Sequence, residues 1–238
     1  TIGVFDKEKL ITTFRMTTKM QRTSDEYGIT IIDLLEHNEI SHNEIKDAII
    51  SSVVPNVMHS LCSGMIKYFD IQPMVVEPGV KTGIRITSEN PAQIGADRIV
   101  DAVGAYELYG GPVVVIDYGT ATTYDFVNGN GDFFAGVTSP GIRISAKALW
   151  EDAAKLPEIE IKKPSTILAR ETISSMQAGL IFGQIGQTEY IVKNMIKESG
   201  LKDVKVVATG GLGKIIANET KYIQYYNPTL TLEGMRVI

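Results

Sequence analysis

The residues of this sequence best suited to chemistry are carboxylates and threonines gathered around glycine. In VVVIDYGTATTYD, Asp117 ends an apolar run and is followed by Gly119, Thr120, Thr122 and Thr123. Glycine lets backbone amides approach an anion, threonine hydroxyls donate to phosphate oxygens, and a carboxylate opposite them can hold a cation or hydrated metal. Further along, VVATGGLG places Thr209, Gly210 and Gly211 between a strand and a helix, where backbone can pack against a nucleotide. The chain has no G-x-x-x-x-G-K-[ST] loop and no G-x-G-x-x-G after a strand, so neither a P-loop nor a dinucleotide fold is expected. A third constellation, IGADRIVDAVGAYE, sets Asp97 and Arg98 near the first turns of a helix. Asp97 and Asp101 are four apart and share a face, so that face can carry a general base while Arg98 grips an anionic substrate. A solvated or ion-paired helix face would use the same residue types. Like carboxylates at this spacing repel, so solvent, a cation or a basic partner is expected near Asp101.

These groups need elements to hold them. Ile2 to Phe5 and Leu10 to Met16 read as a hairpin around Asp6-Lys7-Glu8-Lys9. Ser24 caps a helix running to about Asn38, and Ala48 to Val54 reads as a buried strand. A helix from Pro55 to Phe69, a strand from Pro73 to Glu77 and a loop with Pro78-Gly79 and Thr82-Gly83 follow. Asn90-Pro91 has the order of a helix start, and the apolar pattern carries that helix to Tyr109. Val113 to Tyr118, then Thr122 to Val127 and Asp132 to Thr138 about an Asn-Gly turn, rebuild a sheet. Helices at Gly141 to Leu156 and Thr172 to Ser199, a strand at Val204 to Ala208, a helix at Gly211 to Glu219, a strand at Tyr222 to Tyr225 and a helix from Thr229 complete it. Both halves open on strands and then alternate, which predicts an α/β protein of two similar domains, residues 1–110 and 111–238.

The remaining candidates have quieter explanations. Ser139-Pro140-Gly141, with Arg143 and Lys147 after it, could approach a ligand but reads first as the cap and solvated face of a helix, Thr172, Ser174 and Ser175 as another cap, and Trp150 as packing. His37, His42 and His59 lack a second ligand at metal spacing. Cys62 is the sole cysteine, which excludes an intrachain disulfide and suits a reducing cytoplasm. A formal charge of -5 gives no basic face for nucleic acid, and no apolar run is long enough to span a bilayer. The start TIGVFDKEKL turns charged too early for a signal peptide.

Six segments in order, GADRIVDA, DYGTATTYD, SPGI, AKLPEIEI, SSMQAG and ATGGL, resemble the type III pantothenate kinases over essentially the whole chain. The resemblance implies two ribonuclease H-like domains of the actin-like ATPase superfamily with a cleft between them. It implies a homodimer with the substrate site near its interface, and transfer of phosphate from ATP to pantothenate as the first step of coenzyme A biosynthesis. By motif, Asp97 is similar to the catalytic base, and Gly95, Ala96, Arg98, Thr172 and Ser88 to pantothenate contacts. Ser88 stands where the family often carries a tyrosine. Asp117 resembles a monovalent-cation ligand for K+ or NH4+. Thr120 and Gly119, with Gly210 and Gly211, resemble the ATP contacts, served by Mg2+. The family also opens with a strand and a D-x-G-N-T loop, so a short segment is expected ahead of Thr1. A non-catalytic nucleotide-binding relative, or a kinase of a sugar or small acid, would share the ATP loops.

Overall fold

The computed structural model describes residues 1–17, 21–52, 54–77 and 79–238. Val53, expected in a strand, and Pro78, expected in a loop, lie outside the described residues. The chain runs through β1 (Ile2–Asp6), β2 (Lys9–Phe14), α1 (Ser24–Glu36), β3 (Ile49–Ile50), α2 (Pro55–Phe69), β4 (Met74–Val75), β5 (Arg85–Ile86) and α3 (Ala96–Tyr109). It continues through β6 (Val113–Tyr118), β7 (Ala121–Val127), β8 (Asp132–Pro140), α4 (Ile142–Asp152), α5 (Thr172–Ser199), β9 (Lys205–Thr209), α6 (Gly213–Ala217), β10 (Tyr225–Tyr226) and α7 (Leu230–Val237). Two compact units divide it: residues 1–82, 90–100 and 231–238 form one, and 83–89 with 101–230 the other.

In the first unit, β1 and β2 pair antiparallel, with Lys7 at φ 53° turning the hairpin. The cap of α1 is Thr23 rather than Ser24. Its hydroxyl accepts from the Glu26 amide at 3.2 Å while its own amide donates to the Glu26 carboxylate at 2.7 Å, a reciprocal capping box. α1 lies close against α2 because Gly28 meets the Tyr68 ring where a Cβ would stand. Phe14, Ile31, Leu35, Ile50 and Met65 are buried together between hairpin and helices. The strand expected over Ala48–Val54 contracts to Ile49–Ile50, paired parallel to Met74–Val75. α7 packs on this unit through Gly3, where an added Cβ would lie 2.9 Å from a Leu232 methyl.

The helix expected from Pro91 also differs. Pro91–Gln93 makes a single 3-10 turn, and the α-helix begins only at Ala96. Gly95 supplies the first acceptor, its carbonyl taking the Ile99 amide at 3.2 Å. Asn90 makes no side-chain cap bond, so the Asn-Pro start is not propagated and the chain restarts at the glycine.

The second unit is built on a six-stranded sheet in the order β10-β9-β6-β7-β8-β5. β6, β7 and β8 form an antiparallel meander, β9 pairs parallel to β6, and β10 parallel to β9. Val113 to Ile116 are all buried, as a central strand covered on both faces requires. Val114, Tyr124 and Phe126 meet Ile181, Val192 and Ile216 beneath α5 and α6. Inside this core the Thr188 hydroxyl lies 2.8 Å from that of Tyr118 and 3.1 Å from that of Tyr124, and the Gln184 amide donates to Tyr124 at 3.3 Å. Burial pushes both phenols above their ordinary range.

β5, which the sequence pattern does not reveal, adds to the outer edge beside β8. Arg85 and Asp132 face each other across that pair, with Nε donating at 2.7 Å, and Asn128 donates to the same carboxylate at 2.9 Å. The Arg85 guanidinium first, then Asn128, hold the Asp132 carboxyl below its ordinary value. A depressed folded pKa contributes stability above the unfolded value of about 3.9 and loses it as pH falls through the folded value. The Asp132→Asn variant should therefore show a flatter fall of melting temperature below about pH 4 than the wild type. Parallel acid-unfolding curves for the two proteins would reject that linkage.

Candidate active site

The site of the second unit begins where three strands end side by side. Asp117 on β6 stands opposite Thr123 on β7 and Thr209 on β9, so the three side chains make a polar row on one face of the sheet. Thr122, the next residue expected near phosphate, turns to the other face with Tyr124 and Phe126, fully buried with its hydroxyl unpaired. Only alternate residues of a strand can face a ligand, and the threonine run does not reveal which.

Two glycine turns close on the Asp117 carboxylate. A Cβ at Gly119 would lie 2.8 Å from Asp117 Oδ2, and one at Gly210 would lie 2.5 Å from Oδ1. Gly210 has φ +89°, a conformation that L side chains rarely adopt. The half-buried carboxylate is therefore reached only because both neighbours lack side chains. Thr120 is exposed at the rim. Gly211 does not join this packing: no atom lies within 4 Å of the place its Cβ would take, and the residue is exposed.

Gly141, read from the sequence as a cap, does cap α4 and does more. The carbonyls of Gly119 and Thr120 occupy the place of its missing side chain. The signal was present in the SPGI segment, but its contact joins residues 21 and 22 positions apart and belongs to tertiary structure.

In the first unit, Gly95, Ala96, Asp97 and Arg98 stand together at the start of α3. Ala96 is buried with Val76 and Val100, which fixes the turn from below. That leaves Asp97 exposed, its Oδ1 accepting from the Arg98 amide at 2.9 Å, and Arg98 half-buried beside it. A carboxylate in the first turn is favoured by the positive end of the helix dipole. Asp101 is 3% exposed and engaged by a partner, so bulk solvent is not what faces it.

Ser88 and Thr172 belong to the second unit. The Ser88 hydroxyl, two residues past β5, is buried without a hydrogen-bond partner. Thr172 is the exposed first residue of α5, and it does not serve as the cap, since Glu171 holds that position.

Among the described residues no group of three or more His, Cys, Asp or Glu is placed to hold a metal. A carboxylate packed between two glycine turns fits a cation that takes its other ligands from phosphate oxygens and water.

Comparison with known proteins bears on the chain as a whole. The family model for type III pantothenate kinase matches residues 1–194. A type III pantothenate kinase of Agathobacter rectalis is 66% identical over 238 residues, which cover 100% of this chain and 92% of that protein. One from Bacillus cytotoxicus is 50% identical over 237 residues, covering 100% and 90%. Among solved structures, a Baf family transcriptional activator from Campylobacter jejuni matches with TM-score 0.53 at 22% identity, covering 81% of this chain and 82% of that one. The ethanolamine utilization protein EutJ from Carboxydothermus hydrogenoformans matches with TM-score 0.51 at 16% identity, covering 90% and 74%. These two likenesses concern fold alone, a mixed α/β fold.

Proposed function

The chain belongs to the type III pantothenate kinase family, and from that premise we propose that Asp97 is its catalytic base and the Asp117 turns its phosphate clamp. The reaction is phosphorylation of pantothenate by ATP, the first step of coenzyme A biosynthesis. The observation that supports the assignment is the closure of Gly119 and Gly210 on the Asp117 carboxylate, two turns whose backbone carries no side chain where phosphate would approach.

In this reading the substrate hydroxyl donates its hydrogen bond to Asp97, while Arg98 pairs with the pantothenate carboxylate and Gly95 and Ala96 admit the chain close to backbone. The hydroxyl oxygen bonds to the γ-phosphorus as the bond to the β,γ-bridging oxygen breaks. The alcohol proton passes to Asp97, and ADP leaves. A carboxylate is a weak base for an alcohol, but a loose phosphoryl transition state needs little activation of the nucleophile before transfer. Thr120 and the amides of Gly119 and Gly211 meet the phosphates, and Asp117 would hold K+ or NH4+. Bound Mg2+ and the monovalent ion supply charge neutralisation on the phosphate oxygens. Thr172 and the Ser88 hydroxyl complete the pantothenate side; the buried, unpaired state of the latter is what supports including it.

Two ribonuclease H-like domains, residues 1–110 and 111–238, belong to the same reading. Its support is the strand order of the second unit, a meander with two parallel strands beyond its first member. A homodimer is supported by a groove of about 550 Å³ along α5, where Leu168, Gly179, Phe182 and Gly183 are among the lining residues. Leu168 is 79% exposed there and Ile167 64%. Among the described residues no helix is long and apolar enough to cross a membrane, and with the net charge of -5 this supports a cytoplasmic enzyme without a nucleic-acid partner.

ADP release measured with ATP, Mg2+ and K+ should depend on added pantothenate. Release that does not respond to pantothenate from folded protein that binds ATP would overturn the substrate assignment.

A further inference from the structure

Tyr226 lies on the outermost strand of the sheet, outside every segment so far tied to nucleotide, yet its hydroxyl reaches back to the glycine turn. It donates to the Gly210 carbonyl at 3.0 Å. The same carbonyl accepts the Gly213 amide at 3.1 Å, which closes the turn from Gly210 to Gly213. A carbonyl oxygen has two lone pairs, and here both are used. The Gly210–Gly211 peptide plane is thereby held by two bonds at one end.

Peptide planarity carries that constraint across the bond. In a trans peptide the amide of the following residue points opposite to the carbonyl, and among the described residues Gly111–Pro112 is the one cis bond. Fixing the Gly210 carbonyl toward Tyr226 therefore fixes the Gly211 amide away from it, on the side where Gly211 is exposed and its Cβ position is open. The rings support the same geometry. A Cβ at Gly213 would lie 2.9 Å from the Tyr226 ring and 3.0 Å from the Tyr118 ring, so α6 starts wedged between two tyrosines. Tyr118 is in turn held through its hydroxyl by Thr188 at 2.8 Å.

We propose that Tyr226 is a positioning residue for the nucleotide: its hydrogen bond to Gly210 sets the peptide plane that presents the Gly211 amide to ATP. The proposal rests on the reading of Gly210 and Gly211 as nucleotide contacts, and two variants separate the two ideas. Tyr226→Phe keeps the ring against Gly213 and removes only the hydroxyl. Gly211→Ala adds a methyl on the open side without disturbing any packed atom.

Steady-state kinetics at varied ATP and varied pantothenate, with melting temperatures for each protein, make the test. For Tyr226→Phe the expected result is a KM for ATP raised roughly three- to tenfold, the loss of one oriented hydrogen bond. The KM for pantothenate and kcat should stay within about twofold, a split that general loosening of the fold would not produce. An unchanged KM for ATP in Tyr226→Phe, with a raised one in Gly211→Ala, would overturn the positioning role and leave the nucleotide loop intact. An unchanged KM for ATP in both variants would overturn the nucleotide reading of the loop, and the proposal with it. A uniform fall in kcat and rise of both KM values in Tyr226→Phe would make the residue structural and also end the proposal.

Discussion

Asp97→Asn is expected to lower kcat by about 10²–10⁴-fold, the usual worth of a positioned general base. The amide keeps the size of the carboxylate, and its oxygen can still accept the Arg98 amide that Asp97 Oδ1 accepts at 2.9 Å. It cannot take the alcohol proton. Because Asp97 is exposed at the helix start, losing its charge removes only the dipole contribution, about 0.3–1 kcal/mol. The melting temperature and the affinity for ATP should consequently stay close to wild type while pantothenate-dependent ADP release collapses. Turnover retained within tenfold would remove Asp97 from the chemistry and move the search to another group at the start of α3.

The second large effect is expected at Gly210→Ala. A Cβ there would stand 2.5 Å from Asp117 Oδ1 and 2.6 Å from the Tyr118 amide nitrogen, in a residue whose φ is +89°. The left-handed backbone alone costs about 1–2 kcal/mol for a non-glycine residue, before the steric conflict is counted. Neither neighbour can yield easily, since Tyr118 is 3% exposed in the middle of the core. The variant should lose nucleotide binding and shift its denaturation midpoint well below that of Gly211→Ala, one residue away in open space. Equal midpoints for the two variants would show that the turn relaxes freely and that its packing on Asp117 is incidental.

Long elements were legible because their pattern repeats. Pro55–Phe69 and Thr172–Ser199 were read with their observed ends, each carrying several turns of helical periodicity and a terminal signal, Pro55 at one start and Gly200 at one end. The two-residue strands were not. Ile49–Ile50, Met74–Val75 and Tyr225–Tyr226 are strands only by virtue of a parallel partner, so local composition overstates or shifts them, and Arg85–Ile86 escaped notice altogether. The Thr23 cap was readable as Thr-x-x-Glu, but the acidic Ser24-Asp25-Glu26 run drew the boundary one residue on.

The site divides in the same way. Asp117 beside Gly119 and Thr120 announces anion chemistry within a few consecutive residues, and the structure places Gly119 on Asp117. Contacts made across the sheet carry no local mark. Gly141 under Thr120 and the Tyr226 hydroxyl on Gly210 are invisible until strands are paired, because nothing in SPGI or QYYN says which loop lies opposite. Thr122 shows the converse: its type suits phosphate, and the alternation of β7 assigns it to the core.

The contact beneath Gly141 bears on how this scaffold could be recombined. Position 141 admits no side chain because the Gly119 and Thr120 carbonyls already fill that space. A loop exchanged between relatives at residues 117–120 must arrive with a backbone path matched to 139–141, or the helix behind it loses its seat. Segments 117–120 and 139–141 thus form one transplantable cassette, and a chimera that cuts between them should express less soluble protein than one that moves both.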